Sequence, residues 1–329
     1  MLLLNRREVE SLLDLGRLID ALAPAMAELS AGAVSMPPRI VTLVRERGGL
    51  LAAMPVYLGS ARTLSAKLVS VFPENEARGV PSHQAVILVF DPETGSPSAL
   101  MDGTFITAAR TAAGSALSAR LLAREDARVL VIVGTGVQAR AHARAIPCMR
   151  PIREIRLVGR DPQKAALLAA EIILEQGIPT LACAGVEKAL KGAHIVCATT
   201  HAADPVVEGA WLEPGTHVTS VGLNAGGREL DAEAVRKALV VVETRAAALA
   251  AGPSGSNDLK WPIRDGLITE DHIHAEIGEL VSGAKPGRTS PEQITLYKSV
   301  GVAVQDAVAA RLVLDAAEKQ GVGRELEID

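Results

Sequence analysis

Val131-Ile-Val-Gly134-Thr-Gly136-Val-Gln-Ala139 is the stretch on which the reading of this chain turns. It fits the pattern G-x-G-x-x-G/A. The pattern needs Gly134 for a tight turn and Gly136 so that backbone can approach a pyrophosphate. Ala139 keeps the following helix close to the strand. A glycine triplet alone is weak evidence, and its surroundings make it strong. The apolar run 129–133 predicts a strand before it, and 137–145 predicts a helix after it. Unpaired N–H groups at that helix start, together with the helix dipole, favour an anion. The segment is therefore expected to bind a dinucleotide through Gly134, Thr135, Gly136, Val137, Gln138 and Ala139.

Working outward, strands are predicted at 155–158, 195–198, 217–221 and 239–242, with a helix at 162–174 between the first two. This alternation predicts a doubly wound parallel sheet. Upstream the texture differs. Residues 11–30 have helical spacing. Short Val- and Leu-rich runs at 41–43, 50–53, 66–71 and 85–90, separated by Gly, Pro and Asn, predict strands of a second sheet. Residues 107–122 predict an Ala-rich helix, and 299–318 a final helix with no strand after it. The class expected is α/β, a Rossmann sheet accompanied by a second sheet-containing region upstream.

Composition excludes several functions. The chain has 329 residues, 48% apolar, enough for two domains with cores. A net charge of −4 and only 2% aromatics argue against nucleic acid, which needs clustered cations and stacking platforms. No apolar run approaches the roughly 20 residues that span a bilayer, and no signal-peptide core follows Met1-Leu-Leu-Leu4. Cys148, Cys183 and Cys197 lack CxxC spacing and are expected reduced and buried in a cytoplasmic protein.

The end of the second Rossmann strand selects the dinucleotide. An Asp or Glu there would bond the ribose 2′-OH. This chain has Gly159, which leaves room, and Arg160, whose guanidinium suits a 2′-phosphate. Asp161 before Pro162 reads as a helix N-cap. NADPH is the expected cofactor, with NADH possible.

Several segments together resemble the ornithine cyclodeaminase/μ-crystallin family. They are Ser65-Ala-Lys67-Leu-Val69, Ile106-Thr-Ala-Ala-Arg110-Thr111, the glycine loop, Leu212-Glu-Pro-Gly-Thr-His217 and Tyr297-Lys-Ser-Val-Gly301-Val-Ala-Val-Gln-Asp306. The resemblance implies a homodimer. It also implies an α+β substrate-binding and dimerisation domain formed by 1–115 plus 302–329, with the Rossmann dinucleotide domain at 116–301 inserted into it. By motif, Arg39 (in Met36-Pro-Pro-Arg39), Lys67 and Arg110 would bind a substrate carboxylate, for which charge-assisted and bidentate donors are suited. Thr111, Thr199 and Gly301 complete the implied cofactor contacts.

Cyclodeaminases of the family place an Asp after the strand matching 217–221, and this chain has Asn224. An amide can hydrogen-bond substrate but cannot act as a general base. Lys298 also stands where those members are acidic, and Gly159 replaces their ribose-binding Asp. The resemblance therefore implies a ketimine reductase acting on a small cyclic imino acid, Δ1-pyrroline-2-carboxylate or Δ1-piperideine-2-carboxylate. Lys67 is the candidate for supplying the imine proton. A cyclodeaminase, an open-chain amino-acid oxidoreductase such as an alanine dehydrogenase, and a ligand-binding protein without turnover stand as alternatives. Asp306, Glu229 and Asp231 read as caps or solvated acids. His272-Ile-His274 reads as surface loop and His201 as a rim residue. No metal site is expected, since no third ligand accompanies the histidine pair, and no G-x-S-x-G nucleophile motif is present.

Overall fold

The structure, a computed structural model, describes residues 1–327. It divides into two compact units, Met1–Arg110 joined by the chain from Val302 onward, and Thr111–Gly301. The first crossing falls inside one continuous helix, Gly103–Leu122.

The first unit is built on β1 (Leu2–Leu4), β2 (Ile40–Val44), β3 (Gly49–Leu58), β4 (Thr63–Val71), β5 (His83–Phe90) and β6 (Pro97–Asp102), completed by a short strand at Arg324–Glu325. Their order is Arg324–Glu325, β1, β6, β5, β4, β3, β2. The pairs from β2 to β6 are antiparallel. Alternate residues of β3, β4 and β5 are buried, as a sheet covered on one face requires. Helices Leu15–Ser30 and Ala303–Gln320 pack together, and the latter lies across β3 and β4. Leu18, Ile19, Leu22 and Met26 are fully buried there.

Three expectations need correction. The span 11–30 is two helices, Arg6–Leu12 and Leu15–Ser30, because Asn5 caps the first and Asp14 the second. The final helix begins at Ala303, since the residues before it are committed elsewhere, and a strand does follow it at Arg324–Glu325. Strand β1, of only three residues, was not anticipated.

The second unit carries eight strands, all parallel: β7 (Val129–Val133), β8 (Glu154–Val158), β9 (Thr180–Cys183), β10 (Ile195–Ala198), β11 (His217–Ser220), β12 (Leu239–Val242), β13 (Ile273–Glu276) and β14 (Thr295–Lys298). The order is β13-β12-β14-β11-β10-β7-β8-β9. The central strands read as unbroken apolar runs because both faces are covered. β14 returns to lie between β11 and β12, which sets Lys298 beside Ser220 and Val242. Sequence reading missed β14, whose four residues merge into the apolar run of the last helix. It also placed His272 and His274 in a surface loop. Ile273–Glu276 is a strand, and the two rings bond the carbonyls of Val235 and Pro286.

Two buried histidines tie the Gly103–Leu122 helix to this sheet. His142 Nδ1 donates to the Gln138 carbonyl at 2.8 Å, so Nε2 accepts from Ser115 Oγ, also at 2.8 Å. Ser115 meets Thr219 Oγ1 at 2.8 Å. His217 bridges Ser118 and Thr295 at 3.1 and 2.9 Å. Burial holds His142 neutral, its pKa lowered from 6.5 to about 4, and His217 lower still, to about 3. A depressed folded pKa gives stability that is present above the unfolded value and lost as pH falls. For His142 the loss falls between pH 6.5 and about 4 and is worth roughly 3 kcal/mol. The urea midpoint is expected to fall steeply over that range and to fall less in His142→Gln. A wild-type midpoint that stays flat from pH 6.5 to 4 would refute this.

Candidate functional site

The glycine loop sits at the end of β7. The Gly134 N–H donates to the Val158 carbonyl at 2.8 Å, with φ +125°. A Cβ on Gly134 would lie 2.6 Å from Thr199 Oγ1, and one on Gly159 would lie 2.6 Å from Thr135 Cγ2. Thr199 is itself fixed, since its N–H and Oγ1 both reach the Val133 carbonyl, at 2.9 and 3.0 Å. Gly134, Thr135, Gly159 and Thr199 thus pack into one turn. Gly136 differs. It is the N-cap of helix Val137–Ala145 with no side-chain cap, and a Cβ there would meet nothing within 4 Å. Uncapped N–H groups behind an open approach fit a pyrophosphate. Ala139 is fully buried, whereas Val137 is exposed. Arg160 is exposed at the β8 end, and Asp161 caps the next helix through the Gln163 and Lys164 N–H groups. Thr111 is buried. The Gly301 N–H is taken by Glu243, at 3.0 and 3.1 Å to its two oxygens.

In the first unit the predicted cations do converge. Lys67 projects from the buried face of β4 and Arg110 from the Gly103–Leu122 helix; both are nearly inaccessible. Between them lies Asp306 of the C-terminal helix, 2.7 Å from Lys67 Nζ and 3.0 Å from Arg110 Nε. Arg110 Nη1 also donates to Gln305 Oε1 at 2.9 Å. Lys67 pairs with Met54 across the sheet, and Arg39, just before β2, is near enough to act on its charge. Burial lowers the Lys67 pKa to about 8; Asp306 opposes this shift, and Arg110 and Arg39 add to it. The same two cations hold Asp306 below the usual carboxylate range despite the desolvation that opposes them. Asp306 is therefore no solvated acid, contrary to the sequence reading. That reading relied on the first turn of a helix, where acids are common on dipole grounds.

His83 was missed altogether. It opens β5 on the same face as Ile87, the residue paired with Lys67. Burial first, then Lys67 and Arg110, lower its pKa to about 4, so it stands neutral beside the cations. The alternation of His83-Gln-Ala-Val-Ile87 carried this signal.

Asn224 does not project as a free ligand. Its Nδ2 donates to the His201 and Ala202 carbonyls, and its Oδ1 accepts from the Gly226 N–H. It organises its own loop. Glu229 is also not a surface acid: it is buried and accepts from Thr200 N–H and Oγ1, Ser220 Oγ and Gly222 N–H. Asp231 does cap a helix, Ala232–Lys237. Lys298 Nζ is buried against Asp258 Oδ2 at 2.9 Å, Ser220 Oγ at 2.9 Å and the Gly222 carbonyl at 2.7 Å. Of the cysteines only Cys197 is buried; Cys148 is exposed and Cys183 half-buried. Among the described residues no group of three or more His, Cys, Asp or Glu lies close enough to hold a metal, and no helix is long and apolar enough to cross a membrane.

The model of the ornithine cyclodeaminase/mu-crystallin family matches residues 1–321. The chain is 39% identical over 303 residues to the ketimine reductase mu-crystallin of Mus musculus, covering 91% of each chain. It superposes on Thermococcus litoralis Δ1-pyrroline-2-carboxylate reductase, solved with NADH and L-proline, with TM-score 0.96 and 40% identity over 99% of this chain and 100% of that one. An archaeal alanine dehydrogenase dimer with bound NAD matches with TM-score 0.91 and 30% identity over 100% and 99%.

The two loop glycines should separate folding from binding. Gly136→Ala is expected to keep its thermal midpoint, because the added methyl meets no protein atom, yet to weaken NADH binding by at least tenfold in a fluorescence titration, about 1.4 kcal/mol. Gly134→Ala should lower the midpoint as well, through its clash with Thr199. Undiminished NADH affinity in Gly136→Ala would remove the pyrophosphate from this loop.

Proposed function

The chain belongs to the ornithine cyclodeaminase/mu-crystallin family, and from that premise we propose that it reduces a cyclic 2-imino acid with a reduced nicotinamide. Δ1-Pyrroline-2-carboxylate would give L-proline, and Δ1-piperideine-2-carboxylate would give L-pipecolate. The observation that carries this reading is the buried Lys67–Asp306–Arg110 cluster. Two cations share one carboxylate, so the group keeps a net positive charge with Arg39 adding to it. Lys67 retains two N–H donors, and Arg110 Nη2 has no partner among the described residues. These are donors suited to a substrate carboxylate.

The dinucleotide, held at Gly134–Ala139 with Thr111, Thr199 and Gly301 as further contacts, would supply hydride to the C=N carbon. The chain's own residues do the rest. Arg39 and Arg110 hold the substrate carboxylate and so fix which face of the ring is offered. Asp306 holds Lys67 in place. With a pKa of about 8, Lys67 carries a proton at neutral pH and is acidic enough to pass it towards the imine nitrogen. A protonated imine is the better hydride acceptor, so the proton on Lys67 and the hydride are spent on one C=N bond.

We assign substrate to the domain formed by 1–115 and 302–329, and dinucleotide to 116–301. The exposed guanidinium of Arg160 and the absence of an acid at Gly159 support NADPH over NADH. The lack of CxxC spacing among Cys148, Cys183 and Cys197 suits the cytoplasm. The outer face of the first sheet supports a homodimer. Ile40, Ala53, Leu68 and Val86 align in one register row across β2 to β5, and three of them are large apolar residues at least 38% exposed. The cluster would equally hold an open-chain 2-imino acid, which keeps alanine in view as a product.

Purified protein with Δ1-pyrroline-2-carboxylate should consume NADPH, and ornithine with NAD⁺ should yield no ammonia. Ammonia and proline from ornithine would overturn the reductase reading; activity confined to pyruvate and ammonia would favour the open-chain one. Lys67→Met should lower kcat/KM about 100-fold or more. In the wild type kcat should fall as pH rises through about 8, where the ammonium is lost. Arg160→Ala should raise KM for NADPH and leave that for NADH; equal changes would end the 2′-phosphate role.

A further inference from the structure

Behind the ends of β10, β11 and β14 lies a second buried set of charges that the reaction above does not use. Glu229 is 2%, Asp258 2% and Lys298 0% exposed. Glu229 Oε1 accepts from the Thr200 N–H and Oγ1 at 2.5 and 2.8 Å, and Oε2 from Ser220 Oγ and the Gly222 N–H, both at 2.7 Å. Gly222 has no side chain because a Cβ would fall 2.4 Å from the Glu229 carboxyl carbon. Lys298 Nζ contacts Ser220 Oγ and the Gly222 carbonyl on one side and Asp258 on the other. Asp258 Oδ1 in turn accepts the Glu229 and Leu230 N–H groups, each at 2.8 Å. One ammonium thus pairs directly with Asp258 and reaches Glu229 only through Ser220 Oγ. The remaining partners are neutral donors, so the group carries a net charge of −1.

Its position matters more than its bonds. In an open α/β sheet the ligand lies outside the carboxyl ends of the strands. With the pyrophosphate on the β7 loop, the far end of the dinucleotide runs towards β10 and β11. Thr200 and Gly222 are the second residues beyond the ends of those two strands. The oxidised nicotinamide ring carries a positive charge, and the reduced ring is neutral. A fixed negative charge in a region of low dielectric distinguishes the two strongly.

We propose that Glu229, Asp258 and Lys298 are positioning residues whose net negative charge, held behind the Thr200 and Gly222 loops, favours the oxidised nicotinamide over the reduced one and so promotes departure of the hydride. The inference rests on the dinucleotide reading of the glycine loop. It differs from that reading in concerning a ratio of affinities rather than binding itself.

The experiment is a pair of fluorescence titrations, NAD⁺ and NADH separately, on the wild type, Glu229→Gln and Ser220→Ala. Glu229→Gln removes the excess charge and keeps the shape, and should raise Kd(NAD⁺)/Kd(NADH) on the order of tenfold. Ser220→Ala breaks the Lys298–Glu229 link while keeping every charge, and should leave that ratio near the wild-type value whatever it does to each Kd. If Glu229→Gln unfolds, Asp258→Asn gives the same test from the other carboxylate. Equal changes in both dissociation constants in the charge variants would overturn the inference and leave the dinucleotide site standing. A wild type that binds neither form would overturn both.

Discussion

Asp306 is the residue on which the buried charges of the first unit depend. Three segments distant in sequence, β4, the Gly103–Leu122 helix and the Ala303–Gln320 helix, each deliver one charged side chain to the same buried point. Neither Lys67 nor Arg110 could be buried without it, because an uncompensated ion in the interior costs several kcal/mol. The last helix is therefore part of the first domain for an electrostatic reason as well as an apolar one. Its Ala and Val face packs on β3 and β4, and its Asp306 and Gln305 fix the two cations in place. Because one carboxylate cannot neutralise two cations, the cluster keeps an attraction for a second anion of about the same geometry.

The glycine loop of the second unit is governed by close approach. The β7 turn is thin because Gly134 lies against Thr199 and Gly159 against Thr135. Thr199 is in turn anchored to the Val133 carbonyl, so the turn has little freedom. Beyond it the strand ends are fixed by buried carboxylates. Glu229 holds the β10 and β11 loops, and Glu243 holds the Ser299–Gly301 segment through Ser299 Oγ and two backbone N–H groups. A carboxylate that accepts several backbone donors substitutes for the secondary structure a loop lacks.

Much of this was legible in the sequence, and the reasons are specific. The glycine loop and the strands flanking it were readable because local steric demands write themselves into short spacing. Lys67 stood out as a cation in a β-periodic apolar run, and the resemblance supplied Arg39 and Arg110. Asp306 and Glu229 were not legible as buried, since an acid near a helix start or in a Gly-rich loop looks the same whether its partner is water or a distant lysine. Their partners lie far away along the chain, and pairings at that separation leave no periodic trace. β14 was hidden for a related reason. Its place between β11 and β12 is a matter of topology, and a four-residue strand has no pattern of its own.

The distribution of these carboxylates also bears on which reaction is open to the chain. A lyase that expels ammonia from a diamino acid needs a group free to take protons. Asp306 is committed to two cations, Glu229 to four donors, Asp258 to Lys298 and two N–H groups, and Glu243 to the segment before the last helix. Asn224 offers no acid, and its amide is committed to its own loop. The group left near its switching point is Lys67, which burial and neighbouring cations bring to about 8. On the function proposed above, an acid of that strength gives one proton to the imine nitrogen, and the other half of the reduction comes as hydride from the carrier assigned to the glycine loop.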